Sequence, residues 1–133
     1  MATIRAYTTI EQSRKLADIL PLESADMYIG NYVGKSGEVD GTNIHYYPKG
    51  EPFGAPEIIY AWSLAALLEQ FPYELCDDDG NSLYLEINKE DDVYQLVYAD
   101  RYGDFESIET DRYEHFIDAC VEMIIKLNEL NLL

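Results

Sequence analysis

Apolar residues recur at helical spacing in three stretches of this chain and alternate with polar ones in several others, so the two periods divide it into helices and strands. The first helix opens at Thr9, where Thr9 and Gln12 have the spacing of a capping box. It carries Ile10, Leu16, Ala17, Ile19 and Leu20 and stops before Pro21, which pushes the preceding residue out of helical geometry. A second helix follows an extended stretch that begins at Ile58. Ser63 is its N-cap, Leu64, Leu67, Leu68 and Phe71 share one face, Ala65 and Ala66 favour the helical state, and Pro72 ends it. The third is announced by a capping-box pair, Asp111 and Glu114, and places Tyr113, Phe116, Ile117, Cys120, Ile124 and Leu127 on one face over about 18 residues. Glu114, Asp118, Glu122, Lys126 and Glu129 mark its wet face, and Leu130, Leu132 and Leu133 predict a docked C-terminus.

The strand pattern is clearest at Leu83, Leu85 and Ile87, which alternate with Tyr84, Glu86 and Asn88; the first set should meet the core and the second water. Asp79-Gly80 turns the chain into this strand. Lys89 to Asp92 turn it into Val93–Ala99, and Asp100 to Asp104 turn it again into Phe105–Thr110, giving three consecutive antiparallel strands, with the inward side of the last two left open by the pattern. Earlier, Asp26 to Val33 reads as a strand whose pairing the pattern leaves open. Between Gly34 and Pro56 five glycines and three prolines surround the β-like run Ile44-His45-Tyr46-Tyr47, which predicts a loose hairpin with irregular flanks. The class expected is α+β: a single acidic domain over 1–133, with an antiparallel sheet of about four to five strands, helices on one face and a long C-terminal helix.

Composition changes the picture mainly through charge. The chain of 133 residues is 47% apolar, enough for a hydrophobic core, but 26 Asp and Glu against 9 Lys and Arg leave it at −17. Direct binding to nucleic acid, which depends on cations displacing counterions from phosphate, is disfavoured, as is binding to anionic membranes. Cys76 and Cys120 lack metal-ligand spacing and sit in apolar stretches, so both read as buried free thiols in a reducing compartment. No signal-peptide run or membrane span is legible, and a cytoplasmic location is expected.

Motifs that would carry chemistry fail on spacing. Gly30-x-x-x-Gly34-Lys35-Ser36 is one residue short of a phosphate-cradling loop, and the glycines after it do not open a helix. Asp77-Asp78-Asp79-Gly80-Asn81 puts glycine and the twelfth position out of frame for a calcium loop and reads as a solvated turn. There is no Gly-x-Ser-x-Gly, His-Glu-x-x-His or Cys-x-x-Cys. Neither catalytic residues nor metal nor cofactor are expected.

What remains is where the charge falls. Residues 69 to 118 hold 16 acidic and 3 basic residues, with tyrosines interleaved among them. An acidic surface bearing rigid, polar-tipped aromatics suits a basic protein partner. The candidate face comprises Asp77, Asp78, Asp79, Tyr84, Glu86, Asp91, Asp92, Tyr94, Tyr102, Asp104 and Glu106. In its strongest form such a face mimics DNA. The rival is a small-ligand or catalytic site in the 34–56 loop built on His45, Tyr46 and Tyr47; His115, the other histidine, falls on the first turn of the last helix.

Ala25-Asp26-Met27, Ala61-Trp62-Ser63-Leu64 with Ala66-Leu67-Leu68-Glu69 and Pro72, and Asp118-Ala119-Cys120-Val121-Glu122-Met123-Ile124 onward resemble a family of small uncharacterised proteins encoded in phages and mobile elements of gut bacteria. The resemblance spans most of the chain outside 34–56. It implies a setting in which host-directed inhibitors are common, and no catalytic residue.

Overall fold

The first capping box forms as its spacing predicts. Thr9 Oγ1 accepts from the Gln12 amide at 3.1 Å, Gln12 Oε1 accepts from the Thr9 amide at 3.0 Å, and α1 (Ile10–Ala17) follows. The computed structural model of the chain describes residues 5–33, 39–48, 57–76, 79–102 and 107–133. They group into two compact units: an N-terminal unit, Tyr7–Ala66, and a C-terminal unit, Leu67–Leu133, which also takes in Met1–Ala6.

The N-terminal unit contains β1 (Met27–Val33), β2 (Val39–Pro48) and β3 (Glu57–Ala61) in the order β2-β1-β3, antiparallel throughout. The strand whose pairing the sequence left open is thus the central one. His45, Tyr46 and Tyr47 lie in β2, opposite Gly30, Ile29 and Tyr28. Helix α1 lies against β3, and Leu16, Leu20, Ala25, Tyr28, Ile29, Ala61 and Trp62 are buried. Directed bonds fix the rest. The Thr8 amide donates to the Trp62 carbonyl at 3.0 Å and the Trp62 amide to Thr8 Oγ1 at 3.1 Å, while Thr8 Oγ1 and Ser13 Oγ share a buried bond of 2.8 Å. Trp62 Nε1 donates to Ser24 Oγ at 2.9 Å, so the fully buried indole has its one polar atom satisfied.

Ser63 caps α2 (Leu64–Leu68), accepting from the Ala66 amide at 3.2 Å, and is itself held by the Asp26 carboxylate through its amide and hydroxyl. This helix is shorter than its apolar face suggests. Its continuation tightens, with the Gln70 and Phe71 amides bonding three residues back to Leu67 and Leu68 before Pro72.

The C-terminal unit contains β4 (Glu74–Cys76), β5 (Ser82–Glu90), β6 (Val93–Ala99) and β7 (Ile108–Glu109), antiparallel in that order, with α3 (Phe116–Glu129) against β6. The α+β class, antiparallel pairing and C-terminal helix agree with the sequence, and the strands fall into two sheets of three and four. On the inner face Leu83, Leu96 and Tyr98 are buried with Ile117, Cys120, Met123, Ile124 and Leu127 of α3. Tyr98 donates its hydroxyl to the Pro72 carbonyl at 2.6 Å, which satisfies the phenol where burial raises its pKa.

Several expectations are corrected. Helix α3 begins at Phe116 with His115 as N-cap, not at an Asp111–Glu114 box, because Tyr113 still pairs with Tyr94 through both backbone bonds, 2.7 and 2.9 Å. It therefore has 14 residues. Thr110 pairs with Leu96 and Tyr113 with Tyr94, so one extra residue is accommodated between the two pairs, a β-bulge. Glu122 of α3 secures that bulge by accepting the Asp111 amide at 2.6 Å. At the other end Asn131 adopts φ 57°, Leu132 N–H reaches Leu127 O and Asn131 N–H reaches Asn128 O: a Schellman closure in place of a docked tail, with Leu130 and Leu133 exposed. Ile87 is 52% exposed because the far half of β5 runs past the buried part of the inner face. Cys76 is exposed, since it falls on the outward side of β4; Cys120 is buried and its thiol is pushed up to about 12 by desolvation. Arg5 forms an ion pair with Asp118 in the first turn of α3.

Candidate protein-binding surface

The pleat of the C-terminal sheet sorts its side chains by parity. Leu83, Leu85 and Ile87 of β5 share the inner face with Leu96 and Tyr98 of β6, so the intervening residues point outward. The pairings Glu74↔Tyr84↔Ala99, Glu86↔Val97↔Glu109, Asn88↔Gln95 and Glu90↔Val93 define that outer face. Glu74, Glu86, Glu90 and Glu109, contributed by β4, β5 and β7, are all exposed on it. Strand spacing puts Glu86 and Glu109 about 10 Å apart and Glu86 and Glu90 about 13 Å apart. Small neighbours orient two of these carboxylates: Ser82 Oγ donates to Glu74 at 2.5 Å and Ser107 Oγ to Glu109 at 3.0 Å. Arg112 Nη1 stands 3.7 Å from Glu90 Oε2, both side chains being well exposed, so the pair is weak.

At the β5–β6 tip Asp91 and Asp92 form the two-residue turn between Glu90 and Val93, with φ of 49° and 64°. Two positive φ values make this a type I′ turn, which Asn-Gly fills with less strain than two adjacent aspartates. Near the opposite end of β5 the Tyr84 ring is half-buried. Tyr73 meets it edge-on at 5.6 Å between centroids, and the Arg101 guanidinium lies over it at 4.5 Å. Tyr73 is 70% and Tyr102 86% exposed.

The sequence-predicted residues therefore divide. Tyr84 and Glu86 lie on the outer face, Asp91 and Asp92 at its tip, and Asp79 and Tyr102 in exposed turns. Tyr94 does not join them: it sits on the inner side, its ring 5.4 Å from that of Phe116, with the Lys89 ammonium 5.4 Å from its centroid. Asp77, Asp78, Asp104 and Glu106 lie outside the described residues, as do 34–38 and 49–56 of the rival loop site, of which β2 is the described part. Sequence reasoning did not single out Glu74, Glu90, Glu109 or Arg101. Alternation from Leu83 would have found Glu90, whereas Glu74, Glu109 and Arg101 reach this face through pairings and a turn that no local pattern encodes.

A cleft of about 430 Å³ beside the tip is lined by Ile87, Asn88, Lys89, Glu90, Val93, Gln95 and Arg112. Its polar groups are largely engaged, Gln95 with the Thr110 carbonyl and Arg112 with Glu90. Among the described residues no cluster of His, Cys, Asp and Glu could hold a metal ion, and no helix is long and apolar enough to cross a membrane. The C-terminal unit carries 18 Asp and Glu against 5 Lys and Arg, the N-terminal unit 8 against 4. No protein-family model, curated protein or solved structure matches this chain.

Proposed function

We propose that this chain is a non-enzymatic, cytoplasmic accessory protein whose outer C-terminal sheet face docks a basic protein. The observation that carries the reading is the convergence of four exposed carboxylates, Glu74, Glu86, Glu90 and Glu109, from three strands on the outer side of the sheet, around the buried Val97 and beside the half-buried Tyr84. Such a surface steers a cationic partner and supplies aromatic contact area once it arrives. On the resemblance to mobile-element proteins, nucleic-acid-binding proteins of a bacterial host are the partner class to test first.

The test is capture from host lysate by the wild type and by the E74Q/E86Q/E90Q/E109Q variant, at about 50 and about 300 mM salt. The variant should lose about 30-fold in apparent affinity for the captured protein at low salt, and high salt should weaken the wild type similarly. Equal capture by both proteins would reject the reading.

A further inference from the structure

On this acidic face one cation already occupies an aromatic ring. Arg101, two residues beyond Ala99 and therefore on the outward side as the strand ends, lies with its guanidinium 4.5 Å from the Tyr84 centroid. We infer that Tyr84 is the platform on which a partner's arginine is received, and that Arg101 holds that place in the unbound protein. This rests on the docking face proposed above and names its anchor.

Three features build the platform. Ala99 is the β6 residue opposite Tyr84, and its small side chain covers less of the neighbouring ring than a larger one would. Tyr73 packs edge-on against the same ring and so fixes its tilt. Glu74, directly opposite on β4 and oriented by Ser82, and Glu86, two residues along β5, place carboxylates on either side of the ring. A planar cation over the ring can thus stack and reach a carboxylate at once, a combination that suits guanidinium better than ammonium. Arg101 is itself exposed, so its hold on the ring is that of a surface contact, and a tethered competitor of this kind lowers apparent affinity only modestly.

The intact chain should be titrated into fluorescent arginine-rich and lysine-rich peptides of equal length and charge, with anisotropy as the readout. The wild type should prefer the arginine peptide. R101A should bind that peptide about 5-fold more tightly, while R112A, which removes the same charge from the same face, should gain no more than about 2-fold. Y84L should lose the arginine preference and Y84F should keep it, since the ring and not the hydroxyl is used; circular dichroism checks that both fold. Equal gains from R101A and R112A would show a general charge effect and overturn the platform, as would retention of the preference in Y84L. If both peptides bind wild type equally and E74Q/E86Q/E90Q/E109Q weakens both, the docking face stands and the platform falls. If neither peptide binds at low salt, both readings fall.

Discussion

In the N-terminal unit the buried centre is tied by directed hydrogen bonds around one indole, Thr8 and Ser13 on one side and Ser24 on the other, whereas in the C-terminal unit a 14-residue helix lays an apolar surface on a sheet. The first unit has an α-helix of only eight residues with just Ser13 and Leu16 buried, so helix burial alone contributes little and side-chain bonds fix the geometry. The second buries seven residues of α3 and carries most of the chain's excess negative charge. Apolar burial is indifferent to the sign of the surface; a core of that kind tolerates a crowded acidic face that would otherwise work against the compact state.

The largest expected effect tests the first half of this contrast. Trp62→Ala removes a fully buried indole and should cost about 4 kcal/mol, read as loss of amide-exchange protection in α1 and β3. Wild-type protection there would mean that Trp62 is not the tie. Next, the C-terminal unit should be the alkali-sensitive one. Desolvation raises Cys120 from its ordinary 9.0 to about 12 and also raises Tyr98, so both keep their protons more firmly folded than unfolded. Stability from such groups is complete below the unfolded pKa and declines as pH climbs from about 9 towards the folded value. Cys120 alone should cost about 2 kcal/mol by pH 10.5, and Cys120→Ala should remove that loss in urea titrations followed by circular dichroism. An unchanged alkaline limb would contradict the assignment.

A smaller gain is expected at the tip: D91N/D92G should stabilise the C-terminal unit by about 1 kcal/mol, since the pair suits the type I′ turn and relieves like charge. A destabilised double variant in denaturant titration would argue against the strained turn. Smallest, raising salt from about 20 to about 300 mM should add a few tenths of a kcal/mol, more at α3 than at α1 by amide exchange. Equal responses would mean that the charge difference between the units has no energetic consequence.

Local signals were legible where chemistry is local. Thr9 and Gln12 specify a capping box within one turn, and Leu83 with its alternating neighbours specifies a strand and its faces. The second box failed because Asp111 and Glu114 compete with a distant partner: Tyr94 claims the backbone of Tyr113, a preference written 19 residues away. The division into two sheets escaped for the same reason, since β1 has periodicity but no mark of its neighbours. For the surface, the sequence located the acids and tyrosines but grouped Tyr94 with them while leaving open which side of its strand faces inward. A lone tyrosine in a strand looks alike facing water or a helix, and only the register with Lys89 and the packing on Phe116 decide it.

The pairing of Arg5 with Asp118 has a consequence for the order in which the molecule is made. During synthesis Arg5 precedes its partner by more than a hundred residues, and every residue of the Tyr7–Ala66 unit is made in between. That unit can mature while the N-terminal arm waits. The ion pair is then the last stitch, formed only once α3 has been made.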